Sequence, residues 1–373
     1  MNGSESSKNL KQKKYSKLKT RIFVFDAVLT LILLVVFQWI VSRPLSNAVM
    51  GSFSNFYGAC FIYTSLFLVF MYAASLPLRF IGSFYVEHRF GLSRQSFGAW
   101  AVDETKSAIL SFVILMAAAE VFYAVLRNFP LTWWIVFAGI WIFFSILMAR
   151  FFPVLVIPLF YKYTPLRDSG LKARIMELAE RANVKLMDVC QIDFSRKTSK
   201  ANAALVGLGK TRKVVLADTL ISNFSENEAL AVVAHEFGHF ALHHMLQLLF
   251  FSGTVIVCGF FILSRLADKI VLLTGSVSIS ELYLLPVFVV FMFIFGFVLM
   301  PVQSFFSRIL ERQADKFALD LTGNADDFVS VMDKLADLNL ADRNPSKLKK
   351  VFLYDHPPIN ERINMARRWK RGA

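Results

Sequence analysis

Six stretches of the chain are apolar over the roughly 20 residues that cross a bilayer. They are Ile22–Ser42, Phe56–Leu76, Ala108–Leu126, Thr132–Phe151, Met245–Ser264 and Leu284–Gln303. The fourth continues through Phe152–Phe160, where Pro153 and Pro158 make it either one kinked helix or a span with a short re-entrant piece. Polar segments cover 161–244 and 304–373. In the first, Lys172–Ala182 has amphipathic helical spacing and Val184–Ile192 leads into a strand. Ala203–Leu208 and Lys213–Ala217 read as a hairpin turning at Gly209, Lys210, Thr211 and Arg212. A helix starts near Glu226, with Ser225 and Glu228 as a cap arrangement, and runs toward the fifth span. The pattern predicts a mainly α-helical polytopic membrane protein whose polar part contains a small β-sheet. Its divisions are a basic arm (1–21), membrane helices with a polar loop at 79–107 (22–160), a polar segment (161–244), a membrane hairpin (245–303) and a C-terminal polar segment (304–373).

Composition reinforces this. Hydrophobic residues make up 56% of the chain and Phe occurs 39 times, more apolar surface than a soluble fold can cover. The net charge of +14 would suit nucleic acid, but the Lys and Arg crowd the polar segments beside apolar runs, as orientation signals do. The bilayer, not nucleic acid, is the expected partner. Lys8, Lys11, Lys13, Lys14, Lys17, Lys19 and Arg21 precede span one, and Arg79, Arg89, Arg94 and Lys106 follow span two. The opposite connections hold only Arg43, Arg127, Arg265 and Lys269. Both termini and both polar segments are therefore expected on the cytoplasmic side, of a bacterial inner membrane or its equivalent. Span one is too long for a signal-peptide core and lacks a small-residue cleavage site, so it reads as retained. Cys60, Cys190 and Cys258 have no C-x-x-C spacing, which argues against a disulfide framework or thiolate metal site.

The candidate chemistry lies in His235-Glu236-Phe237-Gly238-His239. Histidines four apart share one helix face and can grip one Zn²⁺ per chain. Glu236, beside that face, is placed to take a proton from a water the metal acidifies. A catalytic zinc needs a third protein ligand, and Glu311 is the candidate: spans five and six form a hairpin that returns residue 311 beside residue 239. Asp315, one helical turn on, suits a ring N–H of a ligating histidine. The bland alternative for Glu311 is an exposed carboxylate paired with Arg308 or Arg312. His356, before Pro357-Pro358, serves either as a donor to a developing oxyanion or as a turn capping the helix from Ile359. His243 and His244 suit the membrane interface better than a wider metal cluster. Asp26 and Glu120, inside spans one and three, either line a wet cavity or make structural pairs.

In order along the chain stand Glu87-His88-Arg89-Phe90-Gly91-Leu92-Ser93-Arg94-Gln95, Pro158-Leu159-Phe160 with Thr164-Pro165-Leu166, Lys200-Ala201-Asn202-Ala203, H-E-F-G-H, Glu311 to Asp315 and His356-Pro-Pro. This ordered set resembles the CAAX prenyl proteases type 1, the Ste24 endopeptidases, over about Phe56 to Arg368, and suggests a prokaryotic member. The resemblance implies zinc on His235, His239 and Glu311, Glu236 as base and Asp315 behind the ligands. It also implies an edge strand, Asn202-Ala203-Ala204-Leu205-Val206, that pairs with the substrate backbone. It moves His356 and Arg362 toward the substrate carbonyl, and it implies a large chamber in the membrane. The expected activity is zinc-dependent endopeptidase cleavage of peptides, of which prenylated C-terminal tails are one class. The rivals are a membrane quality-control metalloprotease and, in another class, a non-catalytic transporter or scaffold. Eukaryotic members have seven spans where this chain shows six.

Overall fold

A computed structural model describes residues 3–207 and 212–372. Six of its helices are long and apolar enough to cross a membrane: α1 (Ser7–Ser52), α2 (Phe56–Arg89), α3 (Phe97–Asn128), α4 (Trp133–Phe160), and, after the polar segment, α8 (His244–Thr274) and α9 (Leu282–Thr322). Between them lie β1 (Tyr163–Pro165), α5 (Ser169–Arg181), β2 (Asp188–Ile192), β3 (Ala203–Val206), β4 (Lys213–Ala217), α6 (Asp218–Asn223) and α7 (Glu226–Ala241). The chain ends in α10 (Ala325–Leu338), α11 (Lys347–Leu353) and α12 (Ile359–Gly372).

The helices outrun their apolar stretches, because nothing in the flanking polar residues breaks them. The expected loop at 79–107 is largely the ends of α2 and α3, with a short turn at Gly91 (φ 75°) between. Arg265 and Lys269 likewise sit on the last turns of α8 rather than in a connection. Pro153 lies in a widened turn of α4 (Phe152–Val156) and Pro158 in the α-helical turn after it, and neither interrupts the helix, which selects one helix over a span with a separate re-entrant piece. Phe37, Tyr63, Tyr123, Leu263 and Phe288 fill the bundle interior, whereas Phe143, Phe250 and Val298 point outward. Outward apolar side chains along spanning helices are what hydrocarbon as solvent requires. Glu120 has one carboxylate oxygen buried with no hydrogen-bond partner, and Asp26 is half-buried.

The polar segments form one module. Its sheet has the order β1-β2-β4-β3, with β2 and β4 parallel and the other pairs antiparallel. The expected hairpin is β3 with β4; residues 208–211, which include Leu208 at the end of the expected first strand and most of the turn, lie outside the described residues. β3 is an edge strand. Ile175 of α5, Val214 and Leu216 of β4, Phe237 of α7, Phe328 of α10 and Ile363 of α12 share the core. Ser225 and Glu228 form a capping box at the start of α7, and Glu228 also meets Ser330 and Lys334 of α10, so the start of this helix is pinned to a neighbour.

Candidate active site

Helix α7 carries His235 and His239 one turn apart, and α9, descending from the membrane, brings Glu311 and Asp315 against them. Gly238 makes this approach possible. A Cβ there would lie 3.0 Å from Ala314 Cα and 3.1 Å from Ala314 O, so only glycine lets the two backbones pack this closely.

Across that contact, Nε2 of His239 is 3.1 Å from Nε2 of His235. Each nitrogen is 3.3 Å from a different oxygen of Glu311. The donor atoms of the three residues lie within 4.8 Å of one another. Separations of 3.1 and 3.3 Å are of the size found between neighbouring donors around a metal bound at about 2.0–2.1 Å, with Glu311 turning one oxygen toward each histidine. Oε2 of Glu311 is buried with no hydrogen-bond donor, an arrangement that costs free energy unless a cation satisfies it. The three residues therefore fit a metal ion, and neither Arg308 nor Arg312 competes for Glu311. Arg308 donates instead to the carbonyls of Lys350 (2.8 Å) and Tyr354 (2.6 Å), and Arg312 faces Glu361.

Asp315, fully buried, lies 2.8 Å from Nδ1 of His235, although the ring N–H is not aimed along that line. Its stronger partner is Arg362, whose Nε donates to Oδ2 at 2.8 Å and whose Nη2 donates to Oδ1. Burial works against a charged His235, but Asp315 and then Glu311 outweigh it and push its pKa up to about 9. Glu236 is partly buried; burial raises its pKa above the ordinary carboxylate range against the pull of His235 and His239.

Glu236 and His235 line a cavity of about 450 Å³ together with Asn202, Ala203, His356 and Arg362. The Arg308 bonds hold the loop before His356, whose Nε2 reaches within 3.3 Å of Glu311 and whose Nδ1 lies 2.8 Å from Asp355. The imidazole is half exposed on the rim. Burial disfavours its charged form, but Asp355 and Glu311 raise its pKa overall. The open edge of β3 runs beside this cavity. Arg362 is more enclosed than the sequence suggests: two of its donors are committed to Asp315.

His244 departs from expectation. It is not at a lipid-facing surface but 1% exposed, with Nδ1 3.0 Å from Nδ1 of His239 and Nε2 3.1 Å from Oε1 of Gln313. Only the exposed His243 keeps a surface position. Sequence spacing hides the difference because the helix breaks between α7 and α8.

The sequence model of the family described as peptidase family M48 matches residues 165–370. A second, described as CAAX prenyl protease N-terminal, five membrane helices, matches residues 4–162, where this chain has the four long helices α1–α4. An uncharacterized metalloprotease of Bacillus subtilis, YhfN, is 31% identical over 296 residues, which is 78% of this chain and 69% of that protein. CAAX prenyl protease 1 of Saccharomyces cerevisiae is 29% identical over 390 residues, covering 95% and 84% of the two chains. The crystal structure of Ste24p from S. mikatae aligns with a TM-score of 0.87 at 24% identity, over 96% of this chain and 89% of that one. That last likeness is one of fold.

Proposed function

Because the chain belongs to peptidase family M48 and is a multi-pass membrane metalloprotease of the CAAX prenyl protease type, we propose that zinc is its metal, held by His235, His239 and Glu311, with Glu236 as general base. The observation that carries this reading is the His-His-Glu cluster with its donor atoms within 4.8 Å of one another and an unsatisfied, buried carboxylate oxygen inside it. Bound there, the metal would supply Lewis acidity to the scissile carbonyl and to water. Glu236 takes the proton from the attacking water and delivers it to the leaving nitrogen, a transfer worth about 10²–10⁴-fold.

The substrate lies extended along the open edge of β3 from Asn202 to Val206, adding a strand whose main-chain hydrogen bonds fix the scissile bond over the cluster. His356 on the rim donates to the carbonyl oxygen as charge develops there. Arg362 orients Asp315 and lines the same cavity. Asp315 in turn holds His235 in place.

The natural substrates we assign are peptide segments next to a lipid or membrane anchor, prenylated C-terminal tails being the class named by the relatives. The distribution of Lys and Arg supports a cytoplasmic site and cytoplasmic termini. The deciding experiment compares wild-type and Glu236→Gln protein on farnesylated peptides, their unmodified counterparts and an unmodified membrane protein. Wild-type protein should contain one zinc per chain, lose activity to a chelator and regain it with Zn²⁺. Glu236→Gln should keep the zinc and lose activity by about 10²–10⁴-fold. Zinc-loaded Glu236→Gln protein that cleaves at the wild-type rate would sink the reading. Preference for the unmodified membrane protein would instead support a quality-control role.

A further inference from the structure

The geometry points to His244 as the residue that fixes the proton and orientation of His239. This rests on His239 being a zinc ligand, as proposed above. Histidines that hold a metal through one ring nitrogen nearly always donate from the other to a fixed acceptor, which sets tautomer and ring plane. For His235 the neighbour is Asp315. For His239, whose Nε2 faces the cluster, the neighbour is Nδ1 of His244 at 3.0 Å.

Counting donors leaves one arrangement. With Nε2 of His239 given to the metal, its Nδ1 carries the proton and donates to Nδ1 of His244. That atom must then offer a lone pair, so the His244 proton sits on Nε2, which donates to Oε1 of Gln313 at 3.1 Å. Gln313 lies on α9 between Glu311 and Asp315, so the chain of bonds ties both ligand-bearing helices together. His244 cannot itself join the cluster, because it meets His239 on the nitrogen facing away from it.

The backbone is shaped for this contact. On an unbroken helix residue 244 would lie about 140° around the axis from residue 239. The chain instead breaks at Leu242 and His243, the latter in the left-handed region (φ 58°, ψ 32°), and α8 restarts at His244. That turn swings the imidazole back onto His239 and buries it.

Three variants separate positioning from packing. Asn at 244 puts an acceptor near the place of Nδ1, Gln puts its amide near Nε2, and Leu fills the volume without either. Zinc affinity, measured by chelator competition on purified protein, should fall about 10–100-fold in His244→Leu and His244→Gln. It should stay within about threefold of wild type in His244→Asn, by the same reasoning. Nitrogen-15 imidazole spectra of the loaded wild-type protein should show His244 protonated at Nε2 only. Leu or Gln variants that bind zinc as tightly as Asn, or a proton on Nδ1 of His244, would overturn the inference. Wild-type protein without zinc would overturn the metal reading first, before any variant is made.

Discussion

Gly238→Ala is the sharpest test of how this site is built. The added Cβ would meet Ala314 Cα at 3.0 Å, Ala314 O at 3.1 Å and Phe317 Cβ at 3.2 Å. Ordinary carbon contacts begin near 3.5 Å, so the backbones of α7 and α9 must part by roughly 0.5 Å. Two of those three atoms belong to backbone and cannot swing aside. On stability alone the change is mild: overpacking costs about 1–3 kcal/mol, and replacing a helical glycine by alanine returns about 1 kcal/mol. The site is less forgiving, because its cluster spans the same interface. Parting the helices stretches both the 3.3 Å contacts of Glu311 with His235 and His239 beyond the spacing at which donors share one ion. The expected result is zinc affinity lower by about 10–100-fold, comparable to loss of a residue that supports a ligand, with kcat/KM falling in step at limiting zinc. Chelator competition reads the affinity, and thermal melts of the metal-free protein read the fold. Gly139→Ala on α4, where nothing lies within 4 Å of the added atom, is the control: it should leave zinc affinity and activity unchanged and hold or slightly raise the melting temperature, since only the helix gain of about 1 kcal/mol remains. A Gly238→Ala protein with wild-type zinc affinity and activity would refute the claim that this close approach positions Glu311.

Three further outcomes follow from the same structure. The N–H of Ala217 donates to the carbonyl of Asn202 at 3.0 Å, so alternation leaves the N–H of Leu205 on the open edge; Leu205→Pro should lower kcat/KM for extended peptides by about tenfold, one main-chain hydrogen bond, with zinc content unchanged, and an unchanged kcat/KM would remove β3 from substrate binding. With its pKa pushed up to about 9 in the metal-free protein, His235 is protonated at pH 7.5 and must be neutral to ligate. Calorimetry in buffers of different ionisation enthalpy should therefore register about one proton released per zinc, and no release at pH 7.5 would contradict the assignment. The sign for stability is that a raised folded pKa stabilises the metal-free protein below the unfolded value near 6.5, a gain lost as pH rises through about 9. At His243, in the left-handed region, Gly should leave zinc affinity intact and raise the melting temperature. Ile should lower it, by about 1–2 kcal/mol in stability; equal melts for the two would show the backbone there is not strained.

The sequence by itself determined the apolar stretches, the helix bearing H-E-F-G-H and the candidates proposed to carry the chemistry, because each is a local pattern: apolar length, a four-residue histidine spacing and a cap. The order of the family's motifs, with the hairpin of spans five and six, was enough to nominate Glu311 and Asp315, and the edge strand came from the resemblance. What no local pattern holds is how close two helices come and which way a ring turns. Gly238 reads as an ordinary helix glycine until Ala314 is seen against it. Arg308 reads as a partner for Glu311, yet it holds the carbonyls that position His356. His244 reads as an interface histidine, because periodicity assumes a continuous helix and the left-handed turn at His243 breaks it. Tertiary structure decided these points because donor separations of about 3 Å across two helices follow from backbone approach, which depends on packing partners far apart in the chain.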